Sequence, residues 1–178
     1  GALFRCSVMP RTAELLDELC CDTLRAQGSN LLPREAGAAL ILETDGSAEQ
    51  ALDDLETLGV ACETAGALDI SVAQTPSERE RVWAPRRTLS EAIRRRAAYK
   101  ISEDVAVPRG RLAEAVTAMR SCAESAGVTC ATYGHAGDGN LHVNLLFNRA
   151  EERPAVEAVA DQIFRIAIEF GGTITGEH

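Results

Sequence analysis

Residues 128–147 read Val-Thr-Cys-Ala-Thr-Tyr-Gly-His-Ala-Gly-Asp-Gly-Asn-Leu-His-Val-Asn-Leu-Leu-Phe. Both flanks carry the β-branched, aromatic and aliphatic residues that suit a pleated, half-buried surface, and the centre is Ala-Gly-Asp-Gly-Asn, the composition of a turn. The pattern predicts strands over 128–133 and 141–147 joined by a glycine-rich loop. In the second strand Leu141, Val143 and Leu145 point one way while His142 and Asn144 point the other. One sheet face is therefore expected to meet helices, and the opposite face to carry polar chemistry.

The neighbouring segments complete a pattern. Residues 104–107 read as a strand. Residues 111–126 read as a helix with Leu112, Val116, Met119 and Ala123 on one face, stopped by Gly127. Downstream, Val156, Val159, Ile163 and Ile166 stand at helical spacing over 154–170, Gly171-Gly172 ends the run, and 173–175 begins another strand. The order is β-α-β-β-α-β, the ferredoxin-like arrangement. The expected class is α+β, a ferredoxin-like antiparallel sheet with helices on one face.

The first hundred residues are less regular. Leu15, Leu19 and Leu24 suggest one helix over 10–27, ended by Gly28, with 31–37 as a loop. A strand is expected over 38–42. Ser47-x-x-Gln50 has the spacing of a capping box and opens a helix to about Leu58, before Gly59. Residues 60–63 and 69–73 read as strands. A second helical region runs from about Thr75 to Ala97, with a kink or restart at Pro85. We expect residues 1–37 to form an N-terminal helix and linker, and 38–178 to form the main domain.

Composition limits the function classes. Apolar residues make up 46% and charged residues 25% of the 178, the balance of an ordinary globular domain. The formal charge of −9 argues against nucleic acid or an anionic membrane as the main partner. No apolar run has membrane-spanning length, and no signal-peptide pattern is expected at the N-terminus. The six cysteines include no Cys-x-x-Cys pair, which suits a reducing, cytoplasmic compartment. Neither a Gly-x-Gly-x-x-Gly turn nor a Gly-Lys-Ser phosphate loop is present. The sequence stops at His178 directly after a strand, so we expect a fragment whose cofactor phosphates are held elsewhere.

The three histidines, His135, His142 and His178, fall in two short segments. Two imidazoles from adjacent strands suit zinc or another late transition metal if a carboxylate joins them. Spacing alone leaves open a Gly-Asp-Gly-Asn hairpin with incidental histidines, and turn chemistry accounts for Asp138 and Asn140. On the second helical region, Val82, Arg86, Leu89 and Ile93 follow steps of four, three and four, so Arg86 lies on the apolar stripe. An arginine there needs an anion. Arg87 falls off the stripe and is expected in solvent. Arg94, Arg95 and Arg96 read as a solvated helix face, and Glu103 and Asp104 as local caps or pairs.

The run from Tyr133 to Asn144, followed by Gly-Gly-Thr-Ile-Thr-Gly-Glu-His at the end of the chain, resembles the C-terminal domain of FAD-linked oxidases. That group includes glycolate oxidase FAD subunits, D-lactate dehydrogenases and D-2-hydroxyglutarate dehydrogenase. Lys100-Ile-Ser-Glu-Asp-Val-Ala-Val-Pro108 and Trp83-Ala-Pro-Arg86 match as well. The resemblance implies a substrate- and metal-binding cap domain, with FAD held mainly by a domain that this chain lacks. It implies His135, His142 and Glu177 as ligands of a divalent metal, zinc or manganese. Arg86, Ser90, Lys100 and Asn144 would bind substrate, and His178 would be the catalytic base. Serine at 90 stands where some members have threonine.

The partners implied are a small 2-hydroxy acid, the FAD-binding domain of the same protein, and electron-transfer subunits through which the protein could meet a membrane. No nucleic acid is expected, and the fragment is expected to be inactive alone. Two readings stand beside this one: a stand-alone ferredoxin-like regulatory module binding a metal or small acid, and a zinc hydrolase built on the same two histidines.

Overall fold

The computed structural model describes residues 6–175. Six strands form one sheet in the order β2-β1-β4-β5-β3-β6, and every neighbouring pair is antiparallel. The strands are β1 (Thr12–Asp17), β2 (Ala38–Glu43), β3 (Tyr99–Ala106), β4 (Thr129–His135), β5 (Asn140–Phe147) and β6 (Thr173–Thr175). The helices are α1 (Glu18–Ala26), α2 (Ala48–Thr64), α3 (Pro76–Arg94), α4 (Leu112–Ser125) and α5 (Arg153–Glu169). From β3 onward the order is β-α-β-β-α-β with β5 and β3 central, so the ferredoxin-like α+β expectation is borne out.

The main core lies on one sheet face. Val105 of β3 and Leu141, Val143 and Leu145 of β5 meet Met119 of α4 and Ile163 of α5, all of them inaccessible to solvent. Alternation in β5 thus sends its aliphatic set toward the helices, as the sequence indicates. The helices added ahead of the ferredoxin-like unit take part of the opposite face. There Leu16 of β1, Cys20 and Leu24 of α1, Leu89 and Ile93 of α3, and Tyr133 of β4 form a second cluster. That face is therefore free only in part.

The N-terminal reading needs correction. Residues 12–17 are a strand, and the helix starts only at Glu18. In β1, Leu15 packs into the main core and Leu16 into the second cluster, which is strand alternation and not a helical stripe. Asp17 ends the strand and caps α1, accepting from the Cys20 amide at 2.9 Å. Its other oxygen accepts from the Thr132 amide of β4 at 2.5 Å, extending the β1–β4 connection one step past the last paired residues, Leu16 and Tyr133. β1 itself is hydrogen-bonded between β2 and β4.

Further expectations change. α2 is capped by Ser47, but it continues through Gly59 to Thr64, so 60–63 is helix. The Gln50 side chain reaches Asp54 at 2.8 Å, not back to the cap. Residues 69–73 form no strand. α3 is one helix through Pro85, opened by a reciprocal capping box between Thr75 and Glu78. β3 begins at Tyr99, five residues earlier than expected, because it pairs with β5 along its whole length.

Candidate functional site

The polar face of the sheet is assembled by register. Glu14 of β1 stands opposite His135 of β4, and Tyr133 of β4 stands opposite His142 of β5. His142 in turn faces Asp104 of β3. The two histidines are diagonal neighbours across β4 and β5, with ring centroids 5.8 Å apart and an edge-to-face arrangement. Each presents Nδ1 to a carboxylate: His135 to Glu14, and His142 to Asp104 at 2.6 Å. A carboxylate accepts, so Nδ1 carries the hydrogen and the lone pair falls on Nε2.

The turn between the histidines is held tightly. The Asn140 amide donates to Asp138 Oδ1 at 3.0 Å, the local turn role expected of Asp138. The Asn140 side-chain oxygen accepts from Thr175 Oγ1 at 3.1 Å, tying the turn to β6. Gly139 has φ of 85°, and a Cβ there would come within 2.0 Å of the Val107 carbonyl oxygen. This approach brings the Val107 amide to the Gly139 oxygen at 3.0 Å. A side chain at 139 would push β3's end away from the turn.

Arg86 comes from α3. The helix is anchored on the sheet by Leu89 and Ile93, and by the Trp83 indole, which donates to Glu43 of β2 at 2.8 Å. The apolar-stripe argument places Arg86 correctly, and the anion that meets it is Glu14. Arg86 Nε donates to Glu14 Oε2 at 2.8 Å, and Nη2 stands 2.5 Å from the same oxygen. The guanidinium also lies over the Tyr133 ring, 4.7 Å from its centroid. Arg87, by contrast, is exposed and pairs with Glu80, as the sequence indicates.

Ser90, Lys100 and Asn144 come together one turn further along α3. Lys100 Nζ donates to Asn144 Oδ1 at 3.1 Å and to Ser90 Oγ at 3.4 Å. Asn144 is fully buried. Its oxygen also accepts from Ser102 Oγ at 3.0 Å, and its amide nitrogen donates to the carbonyls of Ala131 and His142, each at 3.2 Å. Burial lowers the Lys100 pKa, as does the like charge of Arg94, against the opposing pull of Glu91 and Asp104.

The expected site residues Arg86, Ser90, Lys100, His135, His142 and Asn144 thus share one face with α3 above it. Glu177 and His178 lie outside the described residues. Sequence reasoning missed Glu14 and Ser102 and gave Asp104 only a local role. The signal for Glu14 was the Ala13-Glu14-Leu15-Leu16 alternation, hidden by a competing helical spacing.

Two of the three metal ligands implied by the resemblance, His135 and His142, stand on this face, and the third, Glu177, lies outside the described residues. Two imidazoles with Nδ1 fixed by carboxylates offer Nε2 from adjacent strands, the orientation that metal-binding histidines are given by their outer partners. Among the described residues no group of three His, Cys, Asp or Glu side chains gathers into a metal-holding cluster.

Residues 2–178 match the family model described as FAD linked oxidases, C-terminal domain. The chain belongs to that family. This FAD-linked oxidase C-terminal domain is 36% identical over 173 residues to the glycolate oxidase subunit GlcD of Bacillus subtilis, covering 96% of this chain and 37% of that protein. It is 36% identical over 179 residues to a D-lactate dehydrogenase of Anaerostipes hadrus, covering 95% and 38%. The domain therefore spans well under half the length of these relatives. A 4-ethylphenol oxidase from Gulosibacter chungangensis, solved in complex with isoeugenol, shares the fold. Its TM-score is 0.52 at 12% identity, covering 90% of this domain and 38% of that chain. No helix among the described residues is long and apolar enough to cross a membrane.

Proposed function

We propose that the protein carrying this domain oxidises a D-2-hydroxy acid, such as glycolate or D-lactate, to the 2-oxo acid. The observation that carries the reading is one sheet face holding two carboxylate-oriented imidazoles beside a partly buried ammonium, in a member of an FAD-linked oxidase family. The names of the two relatives support the substrate class. Bound FAD, held mainly by another domain of the same protein, would supply the hydride acceptor. A zinc or manganese ion on His135, His142 and Glu177 would supply a Lewis acid.

The remaining work falls to this chain's side chains. Lys100 and Arg86 would attract the substrate carboxylate, and Lys100 Nζ is held on the same sheet face by Asn144 and Ser90. Substrate would compete with Asn144 and Ser90 for Lys100, so the ammonium needs little rearrangement to accept a new oxygen. His178 is assigned as the general base that takes the hydroxyl proton. Electron-transfer subunits would receive the electrons. The free state of every cysteine among the described residues supports a cytoplasmic location, with any membrane contact made through those subunits.

The test is turnover by the intact, flavin-loaded protein with glycolate, D-lactate and D-2-hydroxyglutarate. At least one should be oxidised, and His178→Ala should lower that rate by on the order of 10²-fold or more. No turnover with any of the three overturns the substrate class. Near wild-type turnover in the variant overturns the base.

A further inference from the structure

Glu14 is 3% exposed at its side chain, and its two oxygens are divided between two functional groups. Oε1 meets His135 Nδ1, and Oε2 meets the Nε and Nη2 edge of Arg86. The other imidazole is served differently. Asp104, on β3, is bonded to His142 of β5. One buried carboxylate therefore sits between the histidine pair and the arginine proposed to bind substrate.

We propose that Glu14 is a positioning residue that sets His135 and Arg86 together, so that the metal pair and the anion clamp are oriented by a single side chain. This rests on the reading of His135 as a metal ligand and Arg86 as a carboxylate-binding residue. The bond to Nδ1 leaves Nε2 of His135 as the lone-pair donor. The bonds to Nε and Nη2 fix the guanidinium plane against the Tyr133 ring and leave the Nη1 side for an incoming carboxylate. A carboxylate so deeply buried is held by these two cationic or donor partners. Moving either partner disturbs the other.

A glutamine at 14 separates this role from a plain structural ion pair. Its amide has one acceptor atom, which the guanidinium claims, so its NH₂ faces His135. Nδ1 must then accept, the ring hydrogen moves to Nε2, and the metal-binding lone pair is lost. The experiment uses the intact, flavin-loaded protein stripped of metal, with thermal melts to verify folding. Cobalt(II) is titrated by its visible absorption, and oxalate, a small carboxylate, is titrated into the metal-free protein by calorimetry.

Glu14→Gln should weaken cobalt binding by about 10- to 100-fold and also weaken oxalate binding by about tenfold, because a neutral acceptor holds the guanidinium plane less firmly for a paired contact with an incoming carboxylate. Asp104→Asn should weaken cobalt without weakening oxalate, since its carboxylate hydrogen-bonds His142 and not Arg86. Glu14→Asp, which keeps the charge but shortens the reach, should lose part of both affinities. Folded Glu14 variants that keep both constants, or lose only one, overturn the proposal. So does a Glu14→Asp protein that does not fold, because the role is then structural. A wild-type protein that binds neither probe overturns the site reading itself and this proposal with it; one that binds both, with Glu14 variants unchanged, overturns this proposal alone.

Discussion

Lys100 Nζ donates to Asn144 Oδ1 at 3.1 Å, joining an edgeward position of β3 to a fully buried amide on β5. Asn144 spends all its hydrogen-bonding capacity on four partners, so it acts as the fixed platform and Lys100 as the adjustable arm. Replacing Asn144 by leucine strips the Lys100 ammonium and Ser102 of an acceptor and leaves the Ala131 and His142 carbonyls without this donor. We expect a loss of about 1–3 kcal/mol, read as a lower midpoint in urea denaturation. A change within experimental error would mean that these bonds are replaced by water.

Lys100 also gives a pH dependence with a definite sign. Its pKa is lowered in the folded protein, first by burial and then by Arg94. Below the lowered value the ammonium is charged in both states, and its burial costs stability. As pH rises through that value toward the ordinary 10.5, the unfolded chain keeps a proton that the folded one has released. Stability due to this group therefore increases with pH in that window. Urea midpoints of wild type and Lys100→Met, compared from pH 8 to 10, should shift relative to each other in favour of the wild type. The opposite slope rules out a depressed Lys100 pKa.

Cys20, Cys21 and Cys130 are buried. Burial pushes the Cys21 thiol up to about 11 and that of Cys130 to about 12, and raises Cys20 well above the usual range. Thiolate is the reactive form. Mass-spectrometric mapping after brief alkylation at pH 8 should find Cys62 and Cys122, which are only partly buried, modified before these three. The buried three should react on addition of denaturant. Early labelling of Cys20 would show that α1 opens readily from the sheet.

Gly139 is the tightest point of the loop between the histidines. Alanine there must accept a positive φ and displace the Val107 carbonyl. The strain expected is about 1–3 kcal/mol, which at this chain size lowers the melting temperature by several degrees. Because the turn sets the spacing of His135 and His142, cobalt(II) affinity should fall in the same variant. A lower melting temperature with unchanged cobalt binding would mean that the turn and the histidine pair are independent.

The sequence reading succeeded where one period was unopposed. Leu141, Val143 and Leu145 alternate with His142 and Asn144 without a competing helical pattern, and both faces are as expected. It failed at residues 12–17, where Leu15 and Leu19 mimic a helix although adjacent Leu15 and Leu16 serve opposite faces. Residues 60–63 look like a strand after Gly59, yet a capped helix absorbs a single glycine at modest cost. Arg86 on an apolar stripe announced a buried anion. Its partner was illegible because it lies 72 residues away on a strand read as helix. Asp104 was seen as a local residue, and only the β3–β5 register brings it opposite His142.

The placement of β1 between β2 and β4 has a consequence for how the site comes into being. Glu14 and His135 are separated by 121 residues, whereas His142 and Asp104 lie 38 apart within the ferredoxin-like unit. Closing the longer loop costs more chain entropy and is repaid only once β4 is available as a partner. His142 can thus find its carboxylate inside a half-assembled sheet, while His135 finds its own only when the N-terminal strand docks. The histidine pair is completed by the longest-range closure in the site, so the cobalt(II) binding proposed for it should report whether the sheet has finished assembling.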